Sequence, residues 1–159
     1  MRIEHPFPWG RIARTLESTP VILKELVRGI SDAEADFHPD PERMTIREVI
    51  PHLAGWEPVF LAQMRRTCTE DRPLLGDDNH KAPMVDSPEI MVQLEVFAER
   101  RSQTVEFLRT LSMEAWGREA MRSTYGPTTV DALAFMAVMH DTYHTRQIVE
   151  WRELFRTRS

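Results

Sequence analysis

Apolar residues recur at three- and four-residue steps in four separate stretches of the chain, the spacing of one face of an α-helix. In the first stretch Trp9, Ile12, Leu16, Leu23, Leu26 and Ile30 keep that step, with Gly29 near its end and Pro20 as a kink. The second opens at Thr45, which with Glu48 makes a capping box, while Met44 and Val49 are spaced as the hydrophobic staple around it. Its stripe runs through His52, Trp56, Val59, Phe60 and Gln63 to about Thr67. The third begins at Ser87-Pro88-Glu89, read as an N-cap, a proline at the first helical position and an acid suited to the helix dipole. Ile90, Leu94, Phe97, Arg101, Val105, Leu108 and Leu111 form its stripe. The fourth follows Tyr125-Gly126-Pro127-Thr128, with Thr128 or Thr129 as cap, and carries Leu133, Met136, Ala137, His140, His144, Ile148 and Trp151 on one side.

Shorter pieces join these helices: Ser31 with Glu34 is a second capping box, and Ser112 to Trp116 can form a further turn. No Asn-Gly or Asp-Gly turn stands between alternating strands, so the pattern predicts an all-α chain. Four amphipathic helices at this length predict a four-helix bundle occupying residues 1–159 as one domain. The connection from Cys68 to Ser87 is long and polar and contains Pro73, Gly76 and Pro83, enough to cross the bundle and leave the second and third helices parallel. The other joints suit antiparallel neighbours, which gives an up-down-down-up topology.

Composition changes this picture little but narrows the partners. Of 159 residues, 42 % are hydrophobic and 28 % charged, an ordinary globular balance. The net charge of −5 offers no general attraction to nucleic acid or anionic lipid, so neither is expected as a partner. The longest apolar run, Ala132 to Met139, is far shorter than the roughly 20 residues of a membrane span, and the N-terminus lacks the apolar core of a signal peptide. A lone cysteine, Cys68, suits a reducing cytoplasm; Arg65 and Arg66 beside it are placed to lower its pKa. Met84, Val85, Leu154 and Phe155 are candidates for a homodimer contact.

Six histidines in so short a chain are the compositional oddity. His140 and His144 lie four residues apart on the apolar side of the fourth helix, and His52 lies on the apolar side of the second. Imidazoles facing a core need partners, because a buried polar group without one costs about 1–3 kcal/mol. Either each is satisfied separately by ordinary hydrogen bonds, or the three share a divalent metal ion with a position left open, the pattern of a catalytic site. Gln147 and Glu48 are spaced to orient a ligand imidazole, although Glu48 is also the capping-box acid and capping is the favoured use of its carboxylate. Arg101, which interrupts an apolar stripe, and Trp56 are candidates for holding substrate. His5, His38 and His80 fall in the N-terminal arm and loops.

The segment Thr45-Ile46-Arg47-Glu48-Val49-Ile50-Pro51-His52-Leu53-Ala54-Gly55-Trp56-Glu57 resembles the second helix of the DinB/YfiT-like superfamily. The segment His140-Asp141-Thr142-Tyr143-His144-Thr145-Arg146-Gln147-Ile148 resembles its H-x-x-x-H-x-x-Q-I signature. Asp36-Phe37-His38-Pro39 and Tyr125-Gly126-Pro127-Thr128 fall where that family has an aromatic-Arg-Pro step and the lead into its fourth helix. The resemblance implies an up-down-down-up bundle holding a divalent metal on His52, His140 and His144 and acting on a small-molecule substrate; imidazole ligands suit zinc or nickel there. It also implies an enzyme that uses the metal to activate a low-molecular-weight thiol of the bacillithiol or mycothiol type for transfer. Hydrolysis, or a non-catalytic metal-binding stress-response role with a fourth ligand such as Glu48 or His80, are the alternatives. The chain departs from many members at Asp141 and Thr145, which stand where those carry Glu and a further His.

Overall fold

The computed structural model describes residues 9–76 and 87–158. Helix α1 (Trp9–Leu26) buries Ile12, Ala13, Leu16, Thr19 and Leu23, and the chain leaves it through Gly29 at φ +65°. A positive φ there is open to glycine without a Cβ clash, which is why the helix stops before Ile30. The single turn α2 (Asp32–Ala35) is capped by Ser31 Oγ, which accepts the Glu34 N–H at 3.2 Å. Only half of that expected capping box forms, because the Glu34 carboxylate pairs with Arg152 at 2.6 Å. Helix α3 (Ile46–Thr69) has the full box: Thr45 Oγ1 accepts the Glu48 N–H at 3.2 Å and Glu48 Oε2 accepts the Thr45 N–H at 2.8 Å.

Helix α4 (Ile90–Thr110) starts later than expected, with Glu89 rather than Ser87 at its N-cap. Ser87 Oγ instead accepts the Glu89 N–H at 3.2 Å, a local turn that competes with helix initiation and leaves Pro88 outside the helix. After the short α5 (Met113–Trp116) comes α6 (Val130–Thr157), with Thr129 at its N-cap; the Thr129 hydroxyl turns to the Asp131 carboxylate and makes no side-chain cap.

The expectation of no strands is corrected by a small sheet of order β1-β2-β3, formed by β1 (Leu74–Leu75), β2 (Glu119–Arg122) and β3 (Gly126–Thr129). β2 and β3 are antiparallel, with Arg122 opposite Gly126, so the hairpin closes over Ser123, Thr124 and Tyr125. Its positive-φ residue is Gly126 at +77°, placed after a three-residue loop rather than inside a two-residue one, which is why no Asn-Gly signal announced it. β1 joins β2 in parallel from within the long crossover.

In the bundle α1 and α3 each pack on both α4 and α6. Arg47 near the start of α3 donates to the Pro88 carbonyl before α4, and Arg101 of α4 reaches Glu57 of α3, so these two helices run parallel. Met44 before α3 accepts from Trp151 near the end of α6, which makes that pair antiparallel. The order is therefore up-down-down-up. No helix among the described residues is long and apolar enough to cross a membrane.

Two apolar clusters fill the interior, one around Leu16, Phe60, Met64, Val105 and Leu133, the other around Leu23, Ile50, Leu53, Phe97 and Ile148. Between them lies a polar layer to which every long helix contributes. Arg101, 1 % exposed, donates through Nε and Nη2 to the two oxygens of Glu57 at 2.9 and 2.6 Å, and through Nη1 and Nη2 to those of Asp141 at 2.6 and 2.9 Å. Its remaining donor reaches the Leu16 carbonyl at 2.9 Å. Thr19 donates to Asp141 at 2.7 Å and Thr104 to Glu57 at 3.0 Å.

The prolines inside the helices explain part of this layer. Pro20 has no N–H for the Leu16 carbonyl one turn earlier, and Arg101 supplies the missing donor. Pro58 does the same to Ala54, whose carbonyl accepts from Arg100 at 2.7 Å. With these carbonyls satisfied, α1 continues through Pro20 and α3 through Pro58; α3 also continues through Pro51.

Breaking one side of a buried ion pair leaves its partners charged and desolvated, a loss of about 3–5 kcal/mol. Arg101→Met, which strands both Glu57 and Asp141, is expected to lower the unfolding free energy by that amount in urea denaturation at pH 7, and Arg109→Met, at an exposed pair with Glu17, to change it by less than about 1 kcal/mol.

Candidate metal centre

Because α3 and α6 are antiparallel, the inward face of α3 at His52 meets the inward face of α6 at His140 and His144. The ring centroids lie 5.0 Å apart for His52–His140 and 4.8 Å for both His52–His144 and His140–His144. One ligand-type nitrogen from each ring falls within 4.8 Å of the other two. The Nε2 atoms of His52 and His140 approach to 2.9 Å. His144 is buried, and its Nδ1 faces Gln147 Oε1 at 3.1 Å. The Gln147 amide is held in turn by donating to the Met44 carbonyl at 2.7 Å, so its oxygen receives the His144 Nδ1–H and leaves Nε2 of that ring as the free acceptor.

Burial is the largest cause that lowers the basicity of all three rings. His52 is pushed down to about 4, with a further push from the charge of His144, and His140 to about 3, with pushes from His144, His52 and Arg101. His144 is lowered by burial, a shift opposed by its bond to Gln147 and by Asp141. All three are thus neutral near pH 7, the form in which imidazole binds a divalent metal. Three neutral nitrogen donors converging in a mostly buried spot fit such an ion, and among the described residues no other group of this kind forms.

The aromatic surroundings come from the same two helices. Trp56 stands edge-on to His52 at 6.2 Å and to His140 at 5.7 Å, Phe60 lies 5.8 Å from His140, and Tyr143 lies 5.0 Å from His144. Outward from His140 opens a cavity of about 310 Å³ walled by Trp56 and Phe60 of α3, Met136 of α6, and Arg122 and Tyr125 of the hairpin. The half-buried Trp56 therefore borders open space beside the cluster.

The expected role of Arg101 is corrected, and Glu48 keeps the capping role over the orienting one. Arg101 cannot present its guanidinium to a substrate, since it is buried and all five of its N–H groups are engaged in the central layer. Glu48 spends its carboxylate on the α3 N-terminus rather than on an imidazole. Cys68 also differs: burial raises its thiol pKa, and the nearby charge that opposes this comes from Arg118 rather than from Arg65 or Arg66. His38 is exposed, its Nε2 2.6 Å from the Arg43 carbonyl, while His5, His80, Met84 and Val85 lie outside the described residues. The sequence carries no signal that pairs Glu57 of α3 with Asp141 of α6, because nothing local to either helix shows that one arginine of a third helix takes both.

A family model, the DinB superfamily, matches residues 15–148. The chain belongs to the DinB superfamily. Among solved structures it is similar to YfiT from Bacillus subtilis, described as a probable metal-dependent hydrolase with an unusual four-helix bundle topology. The two are 20 % identical, with a TM-score of 0.82 over 98 % of this chain and 91 % of that one, a likeness of fold. No curated protein matches this chain. Within the DinB fold the histidine cluster thus sits between α3 and α6, at the level of the polar layer.

An imidazole whose pKa in the folded chain lies below its ordinary 6.5 is protonated more readily in the unfolded chain. The stability this contributes is complete above about pH 6.5 and is lost as the pH falls toward the folded values. The chelator-stripped protein is expected to show a urea midpoint that declines from pH 6.5 to 4, and His140→Gln to show a shallower decline over the same window.

Proposed function

We propose that this DinB-superfamily protein is a divalent-metal-dependent enzyme acting on a small molecule, with His52, His140 and His144 as the metal ligands. The observation that carries this reading is the convergence of three neutral imidazole nitrogens, one of whose rings, His140, lines an open cavity. A Zn²⁺ or Ni²⁺ ion held there supplies a Lewis acid that lowers the pKa of a bound water or thiol and so prepares a nucleophile. His52 is delivered by α3 and the other two ligands by α6, and Gln147 orients His144. Trp56 and Phe60 flank His140 where it meets the cavity.

Thiol transfer is the reading the acids favour. The two buried carboxylates on the ligand helices themselves, Glu57 and Asp141, are both taken by Arg101 and so serve poorly as general bases. A divalent ion held by the three histidines would acidify a thiol enough to need no dedicated base, which suits a low-molecular-weight thiol of the bacillithiol or mycothiol type as co-substrate. Hydrolysis is the second reading, favoured by the description of YfiT as a probable metal-dependent hydrolase.

Elemental analysis of protein purified without a polyhistidine tag is expected to find about one divalent ion per chain, and none in His144→Ala. Gln147→Leu is expected to weaken metal binding roughly 10–100-fold while leaving the three ligands in place. Thiol consumption with an electrophile and ester hydrolysis, each followed with and without the metal, separate the two reactions. A wild-type protein that carries no divalent ion and takes up neither Zn²⁺ nor Ni²⁺ overturns the reading.

A further inference from the structure

The cavity beside His140 has a composition that points to its occupant. Trp56, Phe60, Met136 and Tyr125 give it flat aromatic and thioether walls, with Trp56 and Phe60 ring centroids 5.5 Å apart. Arg122 supplies a cation on the hairpin side. That residue is only 6 % exposed, with Nη1 3.1 Å from the Met136 sulfur and its guanidinium 5.0 Å from the Tyr125 ring centre. A guanidinium buried to this degree acts through a lower dielectric than one in water, and its planar fork matches a carboxylate. The wall and the cation come from different elements: α3 and α6 carry the aromatic surface, β2 carries Arg122, and the loop of the hairpin carries Tyr125.

We propose that the cavity selects a small aromatic carboxylate, its ring against Trp56 and Phe60 and its anionic group on Arg122, so that the rest of the molecule is presented toward His140. This deepens the metal-enzyme reading, on which the direction of that presentation rests. Arg122 need not be free of other partners, since five N–H donors allow a further anion to be received or an existing contact to be exchanged. Arg122 is then a specificity-determining residue, and the hairpin is the part of the fold that chooses the substrate.

Benzoate and its neutral counterpart benzamide serve as probes, titrated into chelator-stripped and Zn²⁺-loaded protein and followed by NMR shifts of the tryptophan indole N–H signals. Benzoate is expected to bind about tenfold tighter than benzamide in both forms. Arg122→Gln is expected to remove that preference with benzamide affinity and metal content unchanged, and Arg122→Lys to keep part of it. Thr124→Asp, at an exposed position on the same cavity, places a negative charge near Arg122 without touching the core and is expected to abolish the preference also. Equal binding of the two probes in the stripped wild type, no binding of either, or a preference that survives both Arg122→Gln and Thr124→Asp overturns the proposal. A preference seen only in the Zn²⁺-loaded protein overturns it too, since the carboxylate is then held by the metal and not by Arg122. The metal reading stands or falls separately on the elemental analysis.

Discussion

The guanidinium of Arg101 is the constraint around which the bundle is organised. It is buried with two carboxylates, one on α3 and one on α6, and with a carbonyl of α1, so one side chain from α4 fixes all four long helices at a single level. A buried ion pair of this kind is weak evidence for net stability, because desolvation opposes the Coulomb attraction. Its effect is on register. Sliding α3, α4 or α6 by a turn would leave a carboxylate or a guanidinium in an apolar interior without a partner, whereas the apolar clusters on either side are less discriminating about which methyl group meets which.

That register is what brings the histidines together. Asp141 follows His140 in sequence, so tying Asp141 to Arg101 and Thr19 also sets the rotation of α6 that turns His140 and His144 inward. Glu57, next to Trp56, does the same for α3. The polar layer and the histidine cluster are therefore two sides of one arrangement, and the acids that might have served the cluster as bases are consumed in building it. The prolines fit the same logic. Each removes a helix hydrogen bond, a cost of about 3 kcal/mol if nothing replaces it, and at Pro20 and Pro58 the freed carbonyls become acceptors for Arg101 and Arg100. What looks along the chain like a helix breaker becomes in three dimensions a binding point between helices.

The hairpin between α5 and α6 has a different role. Its strands pair with a short segment of the crossover, which covers one end of the bundle and places Arg122 and Tyr125 across from Trp56 and Phe60. A four-helix bundle alone would leave His140 facing a groove. With the sheet in place the groove gains a third wall, and that wall carries a charge.

The local pattern of residues was enough to define the four long helices, the Thr45–Glu48 capping box, the topology implied by a long crossover, and the three histidines that face inward. These are properties of a helix face or of a few neighbouring residues, and period 3.6 and capping chemistry report them directly. Other features were decided only when the helices met. Arg101 interrupts an apolar stripe, which reads equally well as a substrate anchor, a solvent-seeking side chain or a structural cation; its partners lie 44 and 40 residues away in sequence, and no local rule names them. Glu48 could cap or could orient a ligand, and the geometry of the α3 N-terminus settled that it caps. The sheet was invisible because its glycine follows the loop and its edge strand pairs across 47 positions, Leu74 with Met121. Local hydrogen-bonding and periodicity are written in adjacent residues, whereas the choice of partner for a buried charge depends on which surfaces packing makes adjacent, and only the tertiary structure contains that.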